Sequence, residues 1–463
     1  MSQETRLERD SMGEMEVPLQ ALYGASTQRA VLNFPIAGRP LPTAFIHAFA
    51  LIKWAAAHTN GELGVVSTDK TALIAQACEA ILRGEIGPEH FPVDVFQTGS
   101  GTSTNMNLNE VIATLAKRAA PDCGVHPNDH VNQSQSSNDT FPTAMHIAVA
   151  VALKDTLIPA LTALGQSLRA KSQEFWDVLK IGRTHLMDAT PVRLGQEFSG
   201  FAKQVEKAVD RSQKALKSLH ELALGGTAVG TGLNCHPEFP RRAIARLAER
   251  TGIPFVEAAD HFEAQAAKDS LVEAHGQLNT IASSLFKIAN DIRLLGSGPR
   301  CSLGEIRLPA TQPGSSIMPG KVNPVMSEAV TMVAARVFGN QNTVTWCGAN
   351  GHFELNVFMP VMIDALLESI DLLAQASQVF RSKCVEGIEA NPERCSELIE
   401  YSLSMVTSLA PVIGYDLATQ IAKESVETGR TVRELCQERL AALSLTQAQL
   451  DAALDPARMT EPG

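Results

Sequence analysis

Leu271-Val272-Glu273-Ala274-His275-Gly276-Gln277-Leu278-Asn279-Thr280-Ile281-Ala282-Ser283-Ser284-Leu285-Phe286-Lys287-Ile288-Ala289-Asn290-Asp291-Ile292-Arg293-Leu294-Leu295 decides the fold class. Its apolar positions Leu271, Ala274, Leu278, Ile281, Leu285, Ile288, Ile292 and Leu295 alternate spacings of three and four. That is the a/d seam of a helix built to pack against other helices. The pattern covers about 264–295, on the order of 45 Å of helix. Comparable patterns occupy about 143–171, 193–223, 324–346 and 354–386, with weaker ones at about 42–60 and 67–84. Helices of this length bury their seams only against one another, so the spacing predicts a long antiparallel bundle and an all-α fold. An aromatic content of 5% suits an Ala/Leu-packed bundle. No alternating run of strand length stands out, and residues 1 to about 40, broken by Gly13, Pro18, Gly24 and Pro35, read as irregular. Pro360, near the start of the last long pattern, predicts a kink or a late start there.

Working outward, breaks at the polar run Ser136–Asp139 and at Ala390-Asn391-Pro392 divide the chain. The expected organisation is a mostly helical N-terminal domain at 1–135, a central long-helix bundle at 136–390 and a small helical domain at 391–463. A chain of 463 residues with 44% hydrophobic and 19% charged residues has ample material for such cores. The central helices are apolar over wide arcs. Either other helices of the same chain cover them or further copies do, and a slender bundle favours a homo-oligomer. The net charge of −11 is scattered, and no Lys/Arg block points to nucleic acid. No signal-peptide pattern opens the chain and no apolar stretch stands out as transmembrane in length, so a membrane role is not expected and the location is expected to be cytoplasmic. Eight widely spaced cysteines without a CxxC pair fit reduced thiols in that compartment.

Four polar clusters interrupt the helices: Thr98 to Asn107, Ser136-Ser137-Asn138, Gly182-Arg183-Thr184-His185, and Gly314 to Pro324. Ser, Thr and Asn at such places also serve as helix N-caps. Gly99-Ser100-Gly101 has no preceding strand and no βαβ unit, so it is not a dinucleotide loop. The histidines, including His126, His130, His146 and His185, lack metal-ligand spacing. The inventory is many neutral donors, a lysine at Lys321 and a histidine at His185. It suits a small, multiply charged anion held by helix N-termini and hydroxyls. Residue chemistry alone leads to an anion-binding acid–base enzyme that uses no metal.

Gly314-Ser315-Ser316-Ile317-Met318-Pro319-Gly320-Lys321-Val322-Asn323-Pro324 resembles the signature loop of the aspartase/fumarase superfamily. The resemblance runs from Glu8-Arg9-Asp10-Ser11-Met12-Gly13 through nearly the whole chain. Within the superfamily the chain most resembles class II fumarases. Gly99-Ser100-Gly101-Thr102, Ser136-Ser137-Asn138 and Gly320 before Lys321 match fumarases rather than aspartases. The resemblance implies reversible hydration of fumarate to (S)-malate, a tricarboxylic acid cycle reaction, through an aci-carboxylate, with no cofactor and no metal. It implies Ser315 as the base, His185 as the acid–base histidine and Glu328 as the residue that orients His185. Ser100, Thr102, Ser136, Ser137, Asn138, Thr184, Lys321 and Asn323 would bind substrate. It also implies a homotetramer whose active sites are each shared by three subunits, and a second carboxylate site at His126, Asn128 and Asp129.

Two segments depart from the family pattern. Cys123 stands where members often carry a basic residue, which bears on the second site. Val325-Met326-Ser327 replaces the common Thr-Gln-Cys. The rival readings are an aspartate ammonia-lyase and a structural homologue without catalysis.

Overall fold

A computed structural model describes residues 4–314 and 316–462. Among the described residues it holds seventeen α-helices and only short two-stranded pairings, an all-α fold. Strands β1 (Thr5–Asp10) and β2 (Gly13–Pro18) pair antiparallel and lead to α1 (Ala25–Asn33). This corrects the irregular reading of residues 1–40. The hairpin escapes a hydrophobic pattern search because it has no apolar face. Arginines hold it instead: Arg29 Nε donates to Asp10 Oδ2 at 2.7 Å, and Arg6 donates to the carbonyls of Pro18, Leu19 and Tyr23.

Next come α2 (Thr43–Glu62), α3 (Thr68–Leu82), α4 (Thr102–Ala119) and α5 (Ser137–Ala152). A π-helical turn at Leu153–Leu157 carries α5 straight into α6 (Ile158–Glu174). The sequence pattern placed this start near 143. The true start lies earlier because Ser136 and Asp139 form a capping box. The helical run Ser137–Glu174 is also long and apolar enough to cross a membrane by length and composition, contrary to expectation. Half of its most apolar window is buried inside the fold, as in a core helix.

A second hairpin, β3 (Leu179–Thr184) with β4 (Met187–Arg193), precedes α7 (Leu194–Ser218). Then follow α8 (Phe239–Thr251), α9 (His261–Ala266), α10 (Asp269–Leu295), α11 (Val325–Gly348) and α12 (Met359–Lys383). All eight seam residues of α10 are buried, none more than 7% exposed. Pro360 sits in the first turn of α12, so the late start holds; proline is tolerated there because its missing N–H has no partner to lose. The chain ends with α13 (Pro392–Glu400), α14 (Val406–Ile413), α15 (Tyr415–Thr428), α16 (Val432–Gln437) and α17 (Gln447–Ala453).

By internal contacts the chain divides into two compact units. The first comprises Met1–Pro159, Asp210–Ala282 and Ala335–Ala374. Its core includes the rings of Phe45, Phe49 and Phe141, with Phe45 and Phe141 centroids 4.7 Å apart, which locks α2 onto α5. A buried histidine pins three of its helical segments. His275 of α10 bonds Gln341 of α11 at 2.8 Å and Ser369 of α12 at 2.9 Å. The second unit comprises Ala160–Val209, Ser283–Ala334 and Gln375–Gly463. Phe175, Phe198 and Phe201 stack edge to face in it. Its C-terminal helices close over Ile399, Leu409, Ile421, Leu435 and Leu450.

Candidate active site

In the first unit, two helix N-termini carry the candidate donors. Gly99 and Gly101 make the turn into α4. A Cβ on Gly101 would lie 1.9 Å from the Phe141 ring, and its φ of +75° is left-handed. A Cβ on Gly99 would lie 1.8 Å from the Val357 carbonyl oxygen. Both positions therefore need glycine. The turn delivers Ser100 and Thr102 side by side, Oγ to Oγ1 at 2.9 Å, with Thr102 opening α4.

Ser136 caps α5, and Ser137 and Asn138 are its first two residues. The Ser136 Oγ accepts from the Asn138 N–H at 3.2 Å, and Asp139 Oδ1 accepts from the Ser136 N–H at 2.9 Å. Asp139 is wholly buried and its other oxygen accepts from the N–H groups of Gly225 and Thr227. Burial pushes its carboxyl up from the ordinary range, while those amides and the Lys53 charge pull it back. The Asn138 amide donates to the Ala228 carbonyl at 2.8 Å. The Ser137 Oγ accepts from Asn105 Nδ2 at 2.9 Å. Each helix leaves first-turn N–H groups without intrahelical partners, and the two dipoles add partial positive charge. Such an end is a ready anion site.

The sequence pattern gave no role to the loop Gly225–Gly232. It is bonded to both Asp139 and Asn138. Four glycines in eight residues mark it as a turn of special geometry, and Gly225, Gly230 and Gly232 do take positive φ. That composition was its only legible signal.

The second unit holds the other candidates. Thr184 ends β3, and His185 and Leu186 form a two-residue turn with φ of +58° and +63°. Both central residues left-handed is the arrangement that suits the twist of a two-residue hairpin. The hairpin was missed because Pro191, a register shift at Ile181/Arg183 and charged side chains break its alternation. It is anchored beneath by buried charges. Arg183 Nη1 donates to both oxygens of the wholly buried Glu305, at 3.0 and 2.9 Å. Lys180, also buried, bonds Glu197 at 2.8 Å and lies 3.4 Å from Glu305. Burial pushes the Glu197 carboxyl up, against the pull of Lys180. Above this base Thr184 and His185 are exposed.

Ser315 lies outside the described residues. Around it, Gly314 packs so closely on the Lys321 carbonyl that a Cβ would come within 1.3 Å. Lys321 Nζ donates to Asn323 Oδ1 at 2.9 Å, so the structure brings this pair together. Residues 310–314 and 319–322 line an open depression of ≈ 520 Å³. Glu328 sits in the first turn of α11 and is exposed. Among the described residues, no side-chain hydrogen bond or ion pair joins Glu328 to His185, and neither side chain has another such partner.

The remaining candidates lie on a π-helical turn, Pro127–Val131, in the first unit. His126, Asn128 and Asp129 are exposed. His126 Nδ1 accepts from the Asp129 N–H at 3.3 Å. Cys123 is half-buried nearby in sequence, and a cation reaches the turn from elsewhere: Lys70 Nζ lies 2.7 Å from His130 Nε2. Among the described residues, no group of three or more His, Cys, Asp or Glu is placed to hold a metal ion. All eight cysteines are free thiols.

Donors gathered at helix ends and a histidine on an exposed turn suit acid–base chemistry on an anion, and the family model described as Lyase matches residues 13–339, so the chain is a lyase by family. A second model, described as the Fumarase C C-terminus, matches residues 405–461. A fumarate hydratase class II from Neisseria meningitidis is 51% identical over 463 residues, covering 99% of both chains. A fumarate hydratase class II from Bradyrhizobium diazoefficiens is 51% identical, covering 99% of this chain and 97% of its own. Among solved structures, a class II fumarase from Schistosoma mansoni superposes with a TM-score of 0.95 at 39% identity, over 99% of this chain and 100% of that one. The chain belongs to the class II fumarate hydratase family.

Proposed function

We propose that this protein is a fumarate hydratase, interconverting fumarate and (S)-malate without a metal or other cofactor. The observation that carries the reading is the pairing of two helix N-termini dressed with Ser100, Thr102, Ser136, Ser137 and Asn138. These are donors suited to a carboxylate that gains charge during the reaction. Removing the C3 proton of malate leaves an aci-carboxylate dianion, and fixed donors aimed at that charge lower the barrier most. In this reading Ser315 takes the C3 proton. His185 acts through a water on the C2 hydroxyl, which leaves as water once protonated. Lys321, Asn323 and Thr184 complete the carboxylate ligands, and Glu328 orients His185.

The same reading makes the protein a cytoplasmic homotetramer whose sites each draw on three subunits. His185 and Glu328, exposed and without a side-chain partner among the described residues, support it, because a neighbouring copy can supply what they lack. The turn at His126, Asn128 and Asp129 is the second carboxylate site in this reading.

The test is to follow the ultraviolet absorbance of fumarate with purified protein. Malate is expected to yield fumarate and aspartate to yield none; fumarate from aspartate would establish an ammonia-lyase instead. Ser315→Ala should retain the tetramer and lose activity, and full activity in that variant would remove Ser315 as the base. Sedimentation that gave a monomer with full activity would end the shared-site reading.

A further inference from the structure

Lys53 lies on α2 with no exposed surface, and the one buried carboxylate that faces it, Asp139, already accepts three backbone N–H bonds. Methionine would fill the same space without the cost of burying an ammonium. Its Nζ donates to Asn132 Oδ1 at 3.0 Å and to Gln135 Oε1 at 2.9 Å. Asn132 Oδ1 also accepts from Asn105 Nδ2 at 3.1 Å and from Asn109 Nδ2 at 3.2 Å. The second N–H of the Asn105 amide goes to the Ser137 Oγ at 2.9 Å.

We propose that Lys53 is a positioning residue for the hydratase reaction, setting the direction of a chain of hydrogen bonds that ends by turning the Ser137 hydroxyl outward as a donor to the substrate carboxylate. The inference rests on the function proposed above. The reason is donor counting. An ammonium has three N–H groups and no acceptor. Asn132 must therefore face it with the carbonyl oxygen, and its amide nitrogen then points to the Gln135 carbonyl oxygen at 3.2 Å. Facing that oxygen, Asn105 must present Nδ2. Its other N–H then meets Ser137, whose oxygen can only accept. The single Ser137 proton is left over, and among the described residues no acceptor takes it. A carboxylate is an acceptor and uses that proton. With a neutral residue at position 53 only the Gln135 backbone carbonyl, at the long distance of 3.2 Å, still holds Asn132 in this direction, so the amides of the chain and the Ser137 hydroxyl are held less firmly.

The direction also depends on the proton held by Lys53. Burial brings its ammonium down to about 7, against the opposing pull of Asp139. The titratable groups facing it are Asp139 of α5 and Cys78 of α3. A neutral amine can accept as well as donate, so Lys53 enforces the direction less strongly as the pH rises past neutrality.

The experiment is steady-state hydration and dehydration with Lys53→Met, Asn105→Ala and the double variant, each first shown to be tetrameric like the parent. The KM for malate is expected to rise about tenfold in either single variant, the worth of a lost charge-linked hydrogen bond, with kcat changed by less than about threefold. The double variant should be no worse than the poorer single one, because both break one chain. In the parent the KM should climb above neutral pH, and in Lys53→Met it should stay high and flat. KM values within about twofold of the parent in both single variants, or additive effects in the double, overturn the inference. Should Lys53→Met fail to assemble, Asn105→Ala decides alone by the same KM criterion. A parent that makes no fumarate from malate refutes the proposed function instead, so the two failures are told apart.

Discussion

The helix ends at Ser100–Thr102 and Ser136–Asn138 differ in kind from the turn at His185 and the loop at 316–323. The first are finished structures. Their glycines are sterically required, their hydroxyls are paired or capped, and Asp139 ties them to a neighbouring loop. The second are presented structures. His185 and Glu328 are exposed and unpartnered among the described residues, while the charges beneath the hairpin pair with one another, Lys180 with Glu197 and Arg183 with Glu305. The difference teaches where each region gets its order. The helix ends are shaped by the chain that carries them, at some cost in stability if altered. The exposed groups are held rigidly at their base and left open at the tip, where a second copy can reach them.

The largest effect should come from the open region, in activity alone. In the proposed mechanism His185→Asn removes the acid–base group, while among the described residues it breaks no side-chain hydrogen bond or ion pair, so activity should fall by about 10²–10⁴-fold. Its urea-unfolding free energy should stay within about 0.5 kcal/mol of the parent. A large loss of stability would show that His185 is structural after all. The reverse is expected at the helix ends. Gly101→Ala forces a Cβ into the Phe141 ring at a left-handed φ. It should cost about 2–5 kcal/mol, from the conformational penalty plus overpacking. The same denaturation series reads it out, and a cost below about 1 kcal/mol would deny that the turn is sterically fixed.

How much of this was legible follows from what each feature asks of the sequence. The α10 seam was plain because eight apolar residues repeat along one face, and burial of all eight followed. The start of α5 was misplaced because Ser136–Asp139 looks like a polar loop, although Ser followed three residues later by Asp is also an N-terminal cap. The β3–β4 hairpin was invisible because it is held by buried ion pairs across distant positions, such as Arg183 with Glu305, and not by an alternating face. Lys53 sits in an apolar helical run, where a lysine normally reaches out to water. Only the packing of α4 and the Asn132–Gln135 turn around it shows that it cannot. The chemistry-bearing residues themselves came from family resemblance. Spacing alone gave only donors for an anion.

A smaller effect separates the exposed Glu328 from mere surface. Glu328 lies in the first turn of α11, where a negative charge is worth about 0.3–1 kcal/mol to the helix. Glu328→Gln should therefore cost little in stability. If a neighbouring copy brings its His185 to this carboxylate, the substitution should lower kcat/KM about tenfold, near 1.4 kcal/mol. Unchanged kcat/KM would leave Glu328 as a helix-end charge and nothing more.

The smallest effect is expected at the Pro127–Val131 turn, and it sharpens the comparison. His126 is exposed, as His185 is, so exposure alone would put it in the open region. Yet its Nδ1 is already taken by the Asp129 N–H of its own turn, and Cys123 brings no charge to it. It is a presented residue with its local partner in place. His126→Ala should change hydratase kcat/KM by less than about threefold, well under 1 kcal/mol, and should abolish any second bound malate per chain in equilibrium dialysis. A loss approaching that of His185→Asn would mean that the division into finished and open regions misses a catalytic group. An unaltered second malate would place the second carboxylate site somewhere other than this turn.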